Sequence, residues 1–343
     1  MRGGNNRDAS GSGAKVISGG ERRRIGSLEK GYMAYVMVAP FILVFCFFSL
    51  YAVLQTIWLA FTDTALLARE SGNFAGLDQF ERLFKDRIFV KSIGNTWKIW
   101  IVNFIPQIGM AMLLSVWFTS SFLKLKLKGL FRSLIFMPNL MMPATVGVMY
   151  QRLFQDRYAP ANQFLLGINA VDSPIRFFDS PVFNQMMVAY IQWWMWYGHT
   201  VVILVAGMSS ISVALYESAM IDGANGWRMF RSITRPSLRP ILVYTLVTSL
   251  VGGMQMFEIP YMISNQGGPE NAISTMYTVM LRKFDSGKKF IAAAAAVGVV
   301  ILMMTSAASL VIFWLLRDRD AQAEKKARKL AEKEKKMRRK AVM

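Results

Sequence analysis

Six apolar stretches, each about 20 residues or longer, dominate this 343-residue sequence and limit what it can fold into. They run over about 33–60, 96–118, 130–151, 185–207, 238–262 and 290–316. About 20 residues is what a helix needs to cross roughly 30 Å of hydrocarbon. Inside lipid every backbone N–H and C=O needs a partner from its own segment, so such stretches must be helices. The expected fold class is therefore all-α: a polytopic membrane protein with six transmembrane helices. Pro138 and Pro143 interrupt the third stretch and Pro260 the fifth, so those two are expected to be imperfect spans. The first stretch is too long for a cleaved leader, and no small-residue cleavage site follows it.

The net charge is +19, and its placement is informative. About two thirds of the lysines and arginines fall on the two tails and in the second and fourth loops, which places both termini and those loops in the cytoplasm. The same clustering at membrane edges fits anionic lipid better than nucleic acid. With a single cysteine, Cys46, and a single histidine, His199, there is no disulfide scaffold and no His/Cys metal cluster. Cys46 lies in apolar sequence and reads as an inert core or lipid-facing residue. No G-x-x-x-x-G-K-[ST] phosphate loop occurs, and GSGAKV near the N-terminus lacks the strand and helix such a loop joins. Any ATP used would be bound by another subunit. Residues 1–31 read as a disordered basic tail, 32–318 as the membrane domain and 319–343 as a charged tail with mixed signs at helical spacing.

Between the spans, FAGLDQFERLFKDR in the first outer loop places Leu77, Phe80, Leu83 and Phe84 at helical spacing, with Asp78, Glu81 and Arg82 opposite. That predicts an amphipathic helix, lying on the membrane surface or packed on an external partner. The third loop, with Pro160, Pro174 and Pro181, is expected to be irregular, and SNQGGPENAIST in the fifth to be rich in turns. Ala292 to Ala296 open the sixth span with small residues suited to close helix packing. The run MPNLMMP reads first as core filler.

The fourth loop, about 209–240, is the unusual one. YESAMIDGANGWRMFRSITRPSLRP is polar and basic between two spans, yet it looks preorganised. Leu215 to Ile221 reads as a short helix, Gly223 as its break, and a second short helix carries Trp227, Phe230 and Ile233 on one face before Pro236 and Pro240. An interfacial connector and a docking element are both open on these grounds. The residues E-S-A-M-I-D-G-A, followed by Phe230, Ile233, Pro236, Leu238 and Pro240, resemble the EAA loop of bacterial ABC-importer permeases, most closely those of the sugar subgroup. FAGLDQFERLF, FRSLIFMPNLMMPATVGVMYQRLF and NQGGP resemble other parts of the same family in the same order, so the likeness covers about residues 33–318. Ser212, Ser218, Arg235 and Tyr150 depart from the family pattern.

This resemblance implies a type I importer permease fold in the bacterial inner membrane, with no catalytic residue and no metal or cofactor in this chain. It implies ATP and Mg in two separate ATP-binding subunits, a second permease subunit and an extracytoplasmic sugar-binding protein. The fourth loop would be the coupling element, with Glu217, Ala219, Asp222, Gly223, Ala224, Trp227, Phe230 and Pro236 as its functional residues. Sugars are held by aromatic faces and hydrogen-bonding side chains. YIQWWMWYGHT and SLVGGMQMFEIPYMISN offer Gln192, Trp194, Tyr197, Gln255, Glu258, Tyr261 and Asn265 for a substrate path, although Trp193, Trp194 and their neighbours also suit an interfacial aromatic belt. His199 reads as a hydrogen-bonded interior residue rather than a proton relay. Glycerol phosphate is a rival cargo, but no basic residue lies deep in a span. An ion-coupled secondary transporter would want intramembrane carboxylates, and only Glu258 comes close. An intramembrane enzyme would want a catalytic cluster that the sequence lacks.

Overall fold

The computed structural model describes residues 27–63, 73–119, 127–285 and 291–316. By Cα packing the chain divides into one unit ending at Gln55 and a second starting at Thr56. The first unit holds α1 (Ser27–Val44), a π-helical segment at Phe45–Leu50 and the start of α2 (Tyr51–Ala60), whose last residues belong to the second. Helix therefore begins at Ser27, inside the stretch expected to be a disordered tail; residues 1–26 and the tail at 319–343 lie outside the described residues. Phe41, Phe47, Phe48 and the free Cys46 are exposed, as befits a helix whose solvent is lipid. Tyr35–Ala60 is long and apolar enough to be a span.

In the second unit, α3 (Asp78–Lys85) is the amphipathic helix foreseen, with a different face inward. Leu83 and Gln79 are buried, while Leu77 and Phe84 are exposed. Gln79 can be buried because its amide donates to the Thr62 carbonyl (3.3 Å) and to Asp63 Oδ1 (3.1 Å). The helix packs against the last span rather than lying free.

α4 (Arg87–Thr119) is the second span. The third is broken: α5 (Lys128–Phe136) and a 3₁₀ turn at Met137–Leu140 meet α6 (Pro143–Phe154) at 84°. The cause is local. Met142 precedes Pro143 and is driven into the extended region (φ −69°, ψ 124°), which no helix tolerates. Met137, Met141 and Met142 are exposed at this corner, so they do not fill a core. The third loop is ordered where irregularity was expected. It forms α7 (Pro160–Gly167), and the fully buried Asn162 bonds the carbonyls of Asp156 and Ile175 and accepts from the Ile175 amide. One satisfied amide thus fastens both ends of a proline-rich loop.

α8 (Pro181–Ser209) lies alongside α4 along most of its length. Its Gly198 sits against the α5 backbone, where an added Cβ would come within 2.1 Å of the Ile135 carbonyl oxygen. After a break, α9 (Val213–Ile221) departs from α8 at 67°. Then come α10 (Gly226–Met229), a π-helical segment at Phe230–Thr234, α11 (Arg235–Ser237) and α12 (Arg239–Met254). The fifth span is interrupted at Gln255–Phe257, upstream of Pro260, which sits buried in the first turn of α13 (Glu258–Ile263). α14 (Met276–Asp285) and α15 (Ile291–Leu315) complete the unit, with Ala292, Ala294, Ala295 and Ala296 buried as their size predicts.

The turn between α13 and α14 carries positive φ at Gly267, Gly268, Glu270 and Asn271. Such backbone persists only where its surroundings over-determine it. Here Asn95 donates to the carbonyls of Asn271 (2.8 Å) and Ser274 (3.2 Å), and Gln185 donates to that of Ala272 (2.9 Å). Lys283 of α14 pairs with Asp86 at 2.8 Å, both about a quarter exposed. Burial pushes the Asp86 carboxyl pKa up, but Lys283 and the Ile88 and Phe89 amides outweigh it and hold it below the usual carboxylate range.

Candidate functional site

The break in the fifth span opens onto a cavity of about 290 Å³ lined by α4, α6, α8, α12 and α13. Non-helical backbone at membrane depth is tolerated only where it is buried in protein or lines a cavity, because its freed carbonyls need partners. One is supplied from the adjoining loop: Thr275 Oγ1 donates to the Met256 carbonyl at 2.7 Å. Beside it, Tyr277 stacks on Phe257 with ring centroids 4.9 Å apart. The strained turn thus holds the lip of the cavity in place.

Gly253 permits the opposite wall. A Cβ there would fall 2.1 Å from Trp100, so only glycine lets the indole lie on α12. Trp100 then donates to the Ser249 carbonyl (3.1 Å) and stacks on Phe104 (5.2 Å). From α8, Gln192, Trp196, His199 and Ile203 recur at three- and four-residue spacing on the cavity face. From α4, Asn103 and Gln107 do the same.

Several polar groups of the lining are already committed. Gln107 donates to Thr200 (2.8 Å), while Thr245 and Thr248 bond the Ile241 and Tyr244 carbonyls of their own helix. The side chains of Asn103, Gln192, His199, Gln255 and Glu258 line the cavity and make no hydrogen bond among the described residues. His199 is therefore not the hydrogen-bonded interior residue expected; its ring meets Trp196 edge-on at 6.1 Å. Among the described residues no three His, Cys, Asp or Glu side chains converge to hold a metal ion.

Of the sequence-derived path residues, Gln192, Gln255 and Glu258 line this cavity. Trp194, Tyr197, Tyr261 and Asn265 do not. Trp194 points about half a turn away from Gln192 and packs on the main core, and Tyr197 stacks on Trp193 at 5.5 Å. Tyr261 belongs to α13 beyond the lining, and Asn265 is exposed in the turn that follows. The sequence reading missed Trp100, Asn103, Gln107 and Trp196. Two amides four residues apart inside an otherwise apolar span were the available signal for Asn103 and Gln107.

The second constellation is the α9–α12 connection. The α9 C-terminus closes as a Schellman motif: Gly223 N–H bonds the Met220 carbonyl (3.0 Å), and Ala224 N–H that of Ala219 (2.9 Å). Gly223 takes φ +74°, which a side chain resists. Asn225 then caps α10 by accepting from the Arg228 amide at 2.8 Å. Pro236 does not end the second helix as expected. The chain runs on through the π segment and α11, with Trp227 stacked on Phe230 at 5.7 Å. Tyr216 and Thr234 hydroxyls, 2.9 Å apart, tie α9 to the root of α12. Glu217, Asp222, Gly223, Trp227 and Pro236 are exposed, Ala219, Ala224 and Phe230 half-buried. Glu217 makes no bond within its own loop. Leu215, Met220, Ile221 and Trp227 add exposed apolar surface, Ile221 at 87%. The element is held together by its own hydrogen bonds and presents exposed apolar surface outward.

The family described as the binding-protein-dependent transport system inner membrane component matches residues 96–318. The chain is 28% identical over 254 residues to the lactose transport system permease protein of Rhizobium radiobacter, covering 73% of this chain and 83% of that protein. It is 29% identical over 238 residues to the arabinooligosaccharides transport system permease protein of Bacillus subtilis (69% and 74%). To the trehalose/maltose transport system permease protein of Thermococcus litoralis it is 25% identical over 259 residues (74% and 84%). A crystal structure of a bacterial ABC transporter involved in the import of the acidic polysaccharide alginate shares the fold, with a TM-score of 0.69 at 20% identity over 85% of this chain and 98% of the matched one.

Proposed function

The chain belongs to the family of binding-protein-dependent transport system inner membrane components, and from that premise we propose that its cargo is a carbohydrate. It is the multi-pass permease subunit of an ABC importer, and a binding protein is among its partners. A second permease and two ATP-binding subunits complete the assembly, with ATP hydrolysis in the latter. The observation that carries the cargo is the cavity: the exposed indole of Trp196, with the edge of the buried Trp100, beside three uncommitted amides, Asn103, Gln192 and Gln255. Aromatic faces take the apolar faces of sugar rings, and amides both donate to and accept from hydroxyls. The relatives named for lactose, arabinooligosaccharides and trehalose or maltose support the same reading.

In this proposal Glu217 to Ala224, with Trp227, Phe230 and Pro236, dock on an ATP-binding subunit. Movement of that subunit reaches α12 through the Tyr216–Thr234 contact and opens the cavity alternately to each side. The test is purification of the tagged chain from its own cells in mild detergent. Recovery of an ATP-binding subunit and a second six-span protein, followed by ATP-dependent uptake of a labelled sugar in proteoliposomes, is the expected result. Recovery of this chain alone, folded and repeatedly, would overturn the assembly; ATP-driven uptake of glycerol phosphate but of no sugar would overturn the cargo.

A further inference from the structure

A closer specification of the cargo follows from the charge of the cavity, and it rests on the carbohydrate reading above. Asn103 is 6% exposed, and the part of it that is exposed opens on the cavity, where its amide makes no hydrogen bond among the described residues. An amide that opens on a cavity without a protein partner marks a place where water or cargo supplies the bonds. Next to it the lining offers Gln192, His199, Gln255 and one carboxylate, Glu258. Among the described residues no lysine or arginine lines the cavity. Glu258 forms no ion pair among the described residues, whose pairs lie elsewhere at Glu81, Asp86, Asp179 and Glu270.

An ionised carboxylate accepts hydrogen bonds and donates none. Sugar hydroxyls satisfy it; a second anion cannot. In a cavity of about 290 Å³ any carboxylate, sulfate or phosphate on the cargo would sit within Coulomb range of Glu258, with no lysine or arginine among the described lining residues to neutralise the repulsion. We propose that Glu258 is a specificity-determining residue that confines this permease to sugars without negative charge, independently of what the binding protein captures.

The experiment uses the complete transporter purified from its own cells, in nanodiscs and without added binding protein. Equilibrium binding of glucose and galactose is compared with that of glucuronate and galacturonate, which keep the ring and exchange only C6; lactose and maltose extend the neutral set. The expected result is that a neutral sugar binds at least about tenfold tighter than its uronate. Glu258→Gln should bring that ratio close to one by strengthening uronate binding. Gln255→Lys, which adds a cation to the same lining, should do likewise and provides the test if the first variant does not fold. Equal binding of sugar and uronate by the unaltered protein would overturn the charge filter while leaving the carbohydrate reading intact, as would a ratio that both folded variants leave unchanged. Absence of binding by every neutral sugar would overturn the carbohydrate reading and this inference with it.

Discussion

At the scale of single residues, two glycines that look equivalent in sequence differ in what they permit. Gly198 faces backbone: its added Cβ would meet the Ile135 carbonyl oxygen at 2.1 Å, and α5 and α8 cannot both keep their places. Gly207 faces the tip of a side chain, Ile241 Cδ1 at 2.2 Å, which can rotate away. Gly198→Ala is therefore expected to cost about 1–3 kcal/mol through overpacking, and Gly207→Ala clearly less. Thermal unfolding of the two variants in the same detergent checks the order. Asp86 supplies a pH signature. Its pKa is depressed in the folded protein, so its contribution is present above its unfolded value and fades as pH falls through the folded one. Asp86→Asn should lower stability by about 1 kcal/mol near neutrality. The gap from the unaltered protein should close below about pH 4; a gap that stays constant down to pH 3 would count against the pair.

Elements carry the second set of consequences. α9 can transmit motion only if its end is rigid, and that end depends on Gly223 in a left-handed conformation. Replacement by a non-glycine residue costs about 1–2 kcal/mol of backbone strain there, although the space around it is open. Gly223→Asp adds an anion at the proposed docking face. The protein should still insert, sugar uptake should fall at least about tenfold, and ATP hydrolysis by the assembly should persist. Unimpaired uptake would remove the coupling role from this loop. Tyr216→Phe deletes only the hydroxyl bonded to Thr234, so it should weaken coupling without changing assembly. The ratio of ATP hydrolysed to sugar moved reads that difference.

On the scale of the whole molecule, six spans with basic tails predict that both termini share the cytoplasmic side. Reporter fusions at the two ends, active only in the cytoplasm, should both be active, and a fusion in the 155–180 loop should not. The approximate limits of the apolar stretches were legible in the sequence, four of them as single helices long enough to span and two as bent pairs, because hydrophobic length is a property of the chain itself and lipid leaves the backbone no alternative to helix. The resemblance of the fourth loop was legible for a similar reason: its glycine, its short helices and its prolines act locally. The 84° corner before Pro143 could be foreseen as an interruption, but not its angle, since that depends on what α6 packs against. The cavity was half legible. Gln192, Gln255 and Glu258 stood out as polar residues in apolar runs, whereas Trp194 and Tyr197 looked the same and face elsewhere. Which side of α8 meets α4, and so which aromatics see the cavity, is set by contacts between segments roughly 90 residues apart. The chain alone dictated helices, their length and their order; only tertiary packing decided which polar groups were left without partners, because a hydrogen bond is spent or unspent by a neighbour that local sequence does not name.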